Sequence, residues 1–139
     1  MEIKLTQYQK ITLTLFCFSI AILGFMLKLP KVFRHHDKEL HSMFYFAAAL
    51  FLNVLFKKRH LQIFIFLSLL GVAIEFVQEY SNKFWPPPKH GRFDIEDIFS
   101  NIKGLILFSI VWILINFISY LLKSDNKQTT IFGFLKNSK

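Results

Sequence analysis

Two short polar segments interrupt a chain that is otherwise strongly apolar, and both carry side chains able to move protons or hold a charged ligand. The first is Asp37-Lys38-Glu39-Leu40-His41, in which Asp37 and His41 stand four residues apart and share one helical face. A carboxylate in that position can orient the imidazole and fix its tautomer, as a general base requires. The alternative is structural, because Asp37 can also cap the N-terminus of a helix.

The second polar segment begins at Glu75 and Gln78 and resumes at Arg92. Glu75 follows a wholly apolar stretch, so its side chain is expected to point into the protein, where an ionised group needs a partner. Arg92 or His41 can supply it, and arginine is the better partner because its guanidinium holds a carboxylate or a phosphate through two hydrogen bonds. His41 and Glu75 are therefore the candidate catalytic bases, while a structural ion pair is the alternative.

Asp94, Asp97 and Asn101 follow at helical spacing and form one stripe down a helix face. Together with His41 they offer ligands of the kind that Mg²⁺, Ca²⁺ or Zn²⁺ accepts. No compact metal motif such as HExxH is present, so we expect no metal ion and no other cofactor. The structural alternative is that the aspartates cap the helix and interact with its dipole. Gly104 lies close to the stripe and lets neighbouring backbone approach.

The composition indicates a membrane protein of one domain. Hydrophobic residues make up 53% of the 139 residues and phenylalanine alone occurs 18 times, which is more apolar surface than one small soluble core can bury. The formal net charge is +8, but the basic residues stand mostly at the ends of apolar runs, as membrane-flanking residues do, so nucleic acid is not an expected partner. Cys17 is the only cysteine, which excludes an intrachain disulfide.

Hydropathy predicts an all-α membrane protein, specifically a four-transmembrane-helix bundle. The apolar runs have the length of short membrane spans and cover residues 11–27, 40–56, 61–77 and 105–122. No small-x-small cleavage site follows the first run, so we expect a retained helix rather than a secretory signal. The bundle is expected to occupy residues 1–123, and residues 124–139 are expected to form a mobile cytoplasmic tail.

The distribution of charge predicts the orientation of the bundle. Lysine and arginine divide almost evenly between the two sides, but Lys57-Lys58-Arg59 is a dense basic turn of the kind that stays inside. All acidic residues except Glu2 and Asp125 fall on the other side. We therefore expect both termini in the cytoplasm and both polar segments at the outer face of the membrane.

Three polar blocks follow one another in order along the chain. They are Asp37-Lys38-x-x-His41-x-x-x-Tyr45-Phe46, then Glu75-x-x-Gln78, then Arg92-Phe93-Asp94-x-x-Asp97-x-x-x-Asn101-x-x-Gly104. This arrangement resembles the VanZ-like family of small bacterial membrane proteins, named after a teicoplanin-resistance protein. The resemblance implies a multi-pass protein of the bacterial cytoplasmic membrane with a polar site. It also implies an influence on glycopeptide susceptibility, but no particular reaction.

We expect the polar residues to form an outer pocket that binds or shields an envelope component, either a polyprenyl-linked wall precursor or an anionic phospholipid headgroup. The residues expected to form the pocket are Asp37, Lys38, His41, Glu75, Gln78, Arg92, Asp94, Asp97 and Asn101. In this hypothesis Arg92 holds the phosphate, Lys38 assists it, and the carboxylates orient sugar or peptide groups.

Two other hypotheses come from different classes of function. One is an interfacial hydrolase or transferase that acts on a phosphate- or ester-linked lipid with His41 or Glu75 as the base. The other is a structural membrane protein in which the polar residues form an ion-pair lock. The chain contains no recognisable nucleophile, which favours binding over catalysis.

Overall fold

Four α-helices follow one another in the part of the chain that the computed structural model describes, which is residues 5–26, 36–84 and 93–136. They are α1 (Gln7–Met26), α2 (Asp37–Leu55), α3 (His60–Ser81) and α4 (Ile95–Lys136). The fold class is therefore all-α, as predicted. The loop that contains Arg92 lies outside the described residues, and so do the side chains of residue 25 and of residues 124–136.

Local hydrogen bonds explain where α1 and α4 begin. The backbone N–H of Gln9 donates to the Thr6 hydroxyl (3.3 Å), and the Thr6 N–H donates to the Gln9 side-chain oxygen (2.9 Å), which is a reciprocal capping box. At the start of α4 the Asp94 carboxylate accepts the backbone N–H of Glu96 at 2.8 Å. The structural alternative for Asp94, a helix cap, is thus confirmed.

Two helical segments are long and apolar enough to cross a membrane. They are the whole of α3 (22 residues) and the Ile95–Lys123 part of α4 (29 residues). Only 28% and 11% of their most apolar windows are buried, whereas the core helix of a soluble protein is mostly buried. The described residues thus hold two candidate spans where hydropathy predicts four. One reason is that α2 includes the polar residues Asp37-Lys38-Glu39 in its first turn.

The chain divides into two compact units, one that ends at Leu105 and one that starts at Ile106. In the first unit α2 packs against α3, and the best-buried apolar side chains of this core include Tyr45, Leu52 and Leu67. The second unit is the remainder of α4, which continues to Lys136 through residues assigned to the polar tail from sequence.

Within the first unit, α2 and the start of α4 approach each other closely at Gly104. A Cβ atom on Gly104 would overlap the backbone carbonyl oxygen of Ser42, so only glycine fits at this contact. The Ser42 hydroxyl donates to the backbone carbonyl of Ser100 at 2.8 Å, one turn earlier along α4. The predicted close approach at Gly104 is confirmed, and it fixes the distance between the two helices that carry most of the polar residues.

Candidate functional site

Lys38 joins α2 to the first turn of α4. Its ammonium lies 2.5 Å from the Asp94 carboxylate and 2.7 Å from the Asp97 carboxylate, and Glu96 is 3.6 Å away. The Asp97 side chain is only 10% exposed, so its charge is held away from most of the solvent. Asp97 therefore depends on the lysine for compensation of its charge, whereas Asp94 and Glu96 are also stabilised by solvent.

His41 lies one turn further along α2 and is also directed at α4. Its Nδ1 is 2.9 Å from the Asn101 side-chain oxygen, and both residues are buried. Because an amide oxygen only accepts, this bond requires the proton on Nδ1. The other ring nitrogen, Nε2, is 3.9 Å from an Asp37 oxygen and 3.8 Å from an Asp97 oxygen. The imidazole is thus held between an amide on one side and two carboxylates on the other.

Glu75 brings α3 into the same region. Its side chain is fully buried, and one carboxylate oxygen accepts the backbone N–H of Asp94 at 3.1 Å. The second oxygen, Oε1, has no hydrogen-bond partner among the described residues, and the same holds for the hydroxyl of the equally buried Tyr45. Glu75 interacts electrostatically with Asp97 and His41. We call these residues the polar cluster: Asp37, Lys38, His41, Glu75, Asp94, Asp97 and Asn101.

Partial burial, neighbouring charges and the hydrogen bonds of Lys38 shift the pKa values of several groups in the polar cluster. Partial burial and the neighbouring Asp97 raise the pKa of Asp37, so its ionised form is disfavoured. Partial burial opposes the charge on Lys38, but the hydrogen bonds that its ammonium donates to Asp94 and Asp97 outweigh this effect and hold the pKa of the lysine above its usual range. The same hydrogen bond to Lys38 lowers the pKa of Asp94.

Most of the residues predicted from sequence come together in the polar cluster, but not all of them do. Gln78 is buried one turn beyond Glu75 on the same face of α3. Arg92 lies outside the described residues. Asp37 is the first residue of α2 rather than its cap, since the capping position is His36, whose side chain makes no capping hydrogen bond.

Three further residues shape the cluster and were missed as site residues. Tyr45 follows His41 by four residues and Gly71 precedes Glu75 by four, so helical spacing already put each on the face of a predicted site residue. A Cβ on Gly71 would lie 2.9 Å from the Asn101 amide nitrogen and 3.0 Å from the Tyr45 hydroxyl, so this glycine makes room for both groups. Glu96 is an exposed neighbour of Lys38, and its spacing in the sequence did not mark it as a site residue.

The lowered pKa of Asp94 predicts a specific dependence of stability on pH. A carboxyl group whose pKa is lowered by folding contributes stability above its unfolded value, here 3.8, and loses it as pH falls through the lowered folded value. The Asp94→Asn variant keeps a capping side chain but loses the charge. It is expected to be less stable than wild type by about 0.5 kcal/mol at neutral pH, since the Asp94 side chain is 42% exposed and solvent screens its ion pair.

Thermal unfolding followed from pH 7 to pH 2 checks this expectation. The difference between wild type and Asp94→Asn should close below pH 3.8. Glu39→Gln, which removes an exposed charge from the same end of α2, serves as the control and should show no such convergence. A difference between wild type and Asp94→Asn that does not change with pH would contradict the ion pair with Lys38.

The fold and the site together define an all-α protein with two candidate membrane-spanning helices and a polar cluster built by α2, α3 and the start of α4. Compared with protein-family models, with curated proteins and with solved structures, the chain matches none of them.

Proposed function

We propose that the chain is a four-span protein of the bacterial cytoplasmic membrane, of the VanZ-like kind, with both termini in the cytoplasm. Its polar cluster faces outward and binds a polyprenyl-linked precursor of the cell wall. By holding or shielding that precursor, the protein alters the access of glycopeptide antibiotics, in line with the family resemblance.

The exposed apolar surface supports the membrane location. In α3 and α4, large side chains such as Leu69, Phe76 and Ile113 are more than half exposed, and the most apolar windows of both helices are largely unburied. A soluble protein of this size would leave this area in contact with water, at a considerable free-energy cost. A lipid environment removes that cost, and the apolar runs at 11–27 and 40–56 supply the other two spans.

The position of the polar cluster along the helices supports an interfacial site. Lys57 and Arg59 lie in the turn at one end of α2 and α3, whereas the cluster lies at the first residues of α2 and late in α3. From His60 to Glu75 the helix rises about 22 Å, most of the way across a hydrocarbon core of about 30 Å. The basic turn and the cluster therefore face opposite interfaces.

The observation that carries the proposal is the excess of carboxylates around one engaged lysine. Because Lys38 is bonded to Asp94 and Asp97, it is poorly placed to bind a phosphate as first expected. The rim of the cluster instead offers acceptors for hydroxyl, amide and ammonium groups. A wall precursor carries such groups on its sugars and peptide, and in this proposal Arg92 binds its phosphate. A simple anionic phospholipid offers fewer hydroxyl, amide and ammonium groups to these acceptors.

Native mass spectrometry of gently extracted protein tests the proposal. Wild type is expected to carry one polyprenyl-linked adduct per chain, and Arg92→Ala and Asp37→Asn are expected to lose it. Arg59→Ala and Glu39→Gln are matched controls outside the cluster and should keep the adduct. A bare wild-type chain that is folded and stable, or an adduct equally retained in all variants, would contradict the proposal.

A structural ion-pair lock is the second candidate, and the geometry of Lys38 favours it. This one side chain ties α2 to two carboxylates at the start of α4. If the polar cluster is only a structural lock, Asp37→Asn should change neither the stability of the protein nor the binding of any ligand, because it leaves both of these bonds in place. Loss of the adduct without loss of stability in Asp37→Asn would separate binding from locking.

A further inference from the structure

Asp37, His41 and Asp97 stand in the arrangement of a metal site. Each offers one ligand atom, and these atoms all lie within 4.8 Å of one another. His41 and Asp97 are buried and Asp37 is partly exposed, so the trio has a protected interior and one side open to the interface. The sequence contains no compact metal motif, because the three ligands come from the starts of two helices that are far apart along the chain.

Two carboxylates face the second nitrogen of the imidazole. With Nδ1 donating its proton to Asn101, the Nε2 side of the ring is directed at Asp37 and Asp97. A metal ion on that side is attracted by both carboxylates and by the Nε2 lone pair. An oxygen acceptor on the remote ring nitrogen is also the usual way in which a protein orients a metal-binding histidine.

The distances suit a metal ion better than a direct hydrogen bond. Nε2 lies 3.9 Å from Asp37 and 3.8 Å from Asp97, too far for either carboxylate to accept a proton from the ring directly. One Zn–N bond and one Zn–O bond add up to about 4.2 Å. An ion lying between Nε2 and the two carboxylate oxygens can therefore contact all of these atoms without any movement of the ring. Lys38 is bonded to the other oxygen of Asp97, which leaves the oxygen facing His41 available.

Glu75 supplies an independent indication of a ligand. It is fully buried, interacts electrostatically with Asp97 and His41, and has one oxygen without a hydrogen-bond partner among the described residues. A buried carboxylate oxygen with no donor is costly unless a cation or a bound water lies near it. Glu75 is not itself close enough to join the three ligands, but a water bound to an ion at the trio meets this requirement.

We propose that Asp37, His41 and Asp97 bind one divalent transition-metal ion such as Zn²⁺, with the free oxygen of Glu75 directed at a water bound to the ion. A histidine with two carboxylates is a ligand set that Zn²⁺ accepts, and three protein ligands leave a position open to an exogenous group. The inference goes beyond the proposed function, because it concerns the base of the polar cluster and does not depend on the identity of any lipid.

Metal titration of the full chain tests the inference. Protein purified in detergent is stripped with a chelator and titrated with Zn²⁺ alone by calorimetry, and Co²⁺ is added separately for its visible absorption. Wild type is expected to bind one ion per chain. Asn101→Ala should weaken binding by about 10- to 100-fold through loss of ring orientation. His41→Ala and Asp37→Asn should weaken it further and abolish the Co²⁺ spectrum.

Matched controls decide whether the ion binds at this site. His36→Ala and Glu39→Gln remove an exposed histidine and an exposed acid from the same end of α2 and should bind like wild type. Binding lost in His36→Ala but kept in His41→Ala would overturn the inference, as would the absence of stoichiometric binding to folded wild type.

The metal titration gives a decision even if one variant does not fold, and its outcome is independent of the lipid experiment. If His41→Ala fails to fold, Asp37→Asn decides, because Asp37 has no share in the bonds of Lys38. Because the titration contains no lipid, its failure leaves the adduct experiment unaffected, and a missing adduct leaves the metal result unaffected.

Discussion

Gly104→Ala is expected to lower the stability of the protein by about 2 kcal/mol, or roughly 8 °C in the midpoint of thermal unfolding. The added Cβ would overlap the backbone carbonyl of Ser42, and a backbone atom cannot move aside as the end of a side chain can. The start of α4 must then separate from α2, which also weakens the bond between Ser42 and Ser100. Thermal unfolding in detergent measures the effect.

Two other glycines in helices, Gly24 and Gly71, provide a graded control for this prediction. Gly24 has open space where a Cβ would go, so Gly24→Ala should be neutral or slightly stabilising through its helix propensity. Gly71→Ala should fall between the two, because the groups it meets are the ends of the Asn101 and Tyr45 side chains, which can shift. A Gly104→Ala variant as stable as Gly24→Ala would show that α2 and α4 do not approach as described.

Lys38→Met is expected to destabilise the protein by about 2 kcal/mol. Methionine preserves most of the apolar stem of the lysine but removes the charge that compensates Asp94 and Asp97. Breaking a fully buried pair costs about 3–5 kcal/mol, and the lower value expected here reflects the exposed third of the lysine. Chemical or thermal unfolding at neutral pH, with Lys57→Met as the exposed control on the opposite turn, measures the loss.

A double-mutant cycle tests whether the loss comes from the ion pair. Asp97→Asn in the Lys38→Met background removes the uncompensated charge, so it should restore part of the lost stability, whereas Asp97→Asn alone should be destabilising. Strictly additive effects of the two substitutions would mean that Lys38 and Asp97 do not interact.

The helix faces shared by the polar residues were predictable from their spacing in the sequence. Spacing placed Asp37 beside His41, and the i, i+3, i+7 pattern placed Asp97 and Asn101 on one face of α4. Gly104 predicted a close approach of neighbouring backbone, and the structure shows that this backbone belongs to α2. The spacings follow from local helix geometry, whereas the identity of the approaching helix does not.

The start of α4 was not predictable from hydropathy. The predicted span began at residue 105, because the preceding polar residues interrupt the apolar run. The helix nevertheless begins at Ile95, since Asp94 caps it and the acidic residues Glu96 and Asp97 in its first turn interact favourably with the helix dipole. The polar residues of α4 therefore lie on a helix, and this is why they point at α2 together.

The partner of Lys38 was also beyond sequence reasoning. A flexible lysine stem can reach a phosphate, a lipid headgroup or a neighbouring carboxylate, and the choice depends on how α2 and α4 are aligned. That alignment turns a residue expected to assist a phosphate into the ion-pair partner of Asp94 and Asp97. Within the described ranges, the two buried atoms without hydrogen-bond partners, on Tyr45 and Glu75, likewise appear only once three helices are in place.

Site-directed labelling of intact bacteria tests the central claim most directly, namely that the polar cluster lies at the outer face of a membrane. In a Cys17→Ser background, Glu96→Cys marks the cluster and Lys57→Cys marks the turn between α2 and α3. We expect a membrane-impermeant maleimide to label Glu96→Cys in intact cells and Lys57→Cys only after permeabilisation. Labelling of both positions from outside, or of Lys57→Cys alone, would contradict the account.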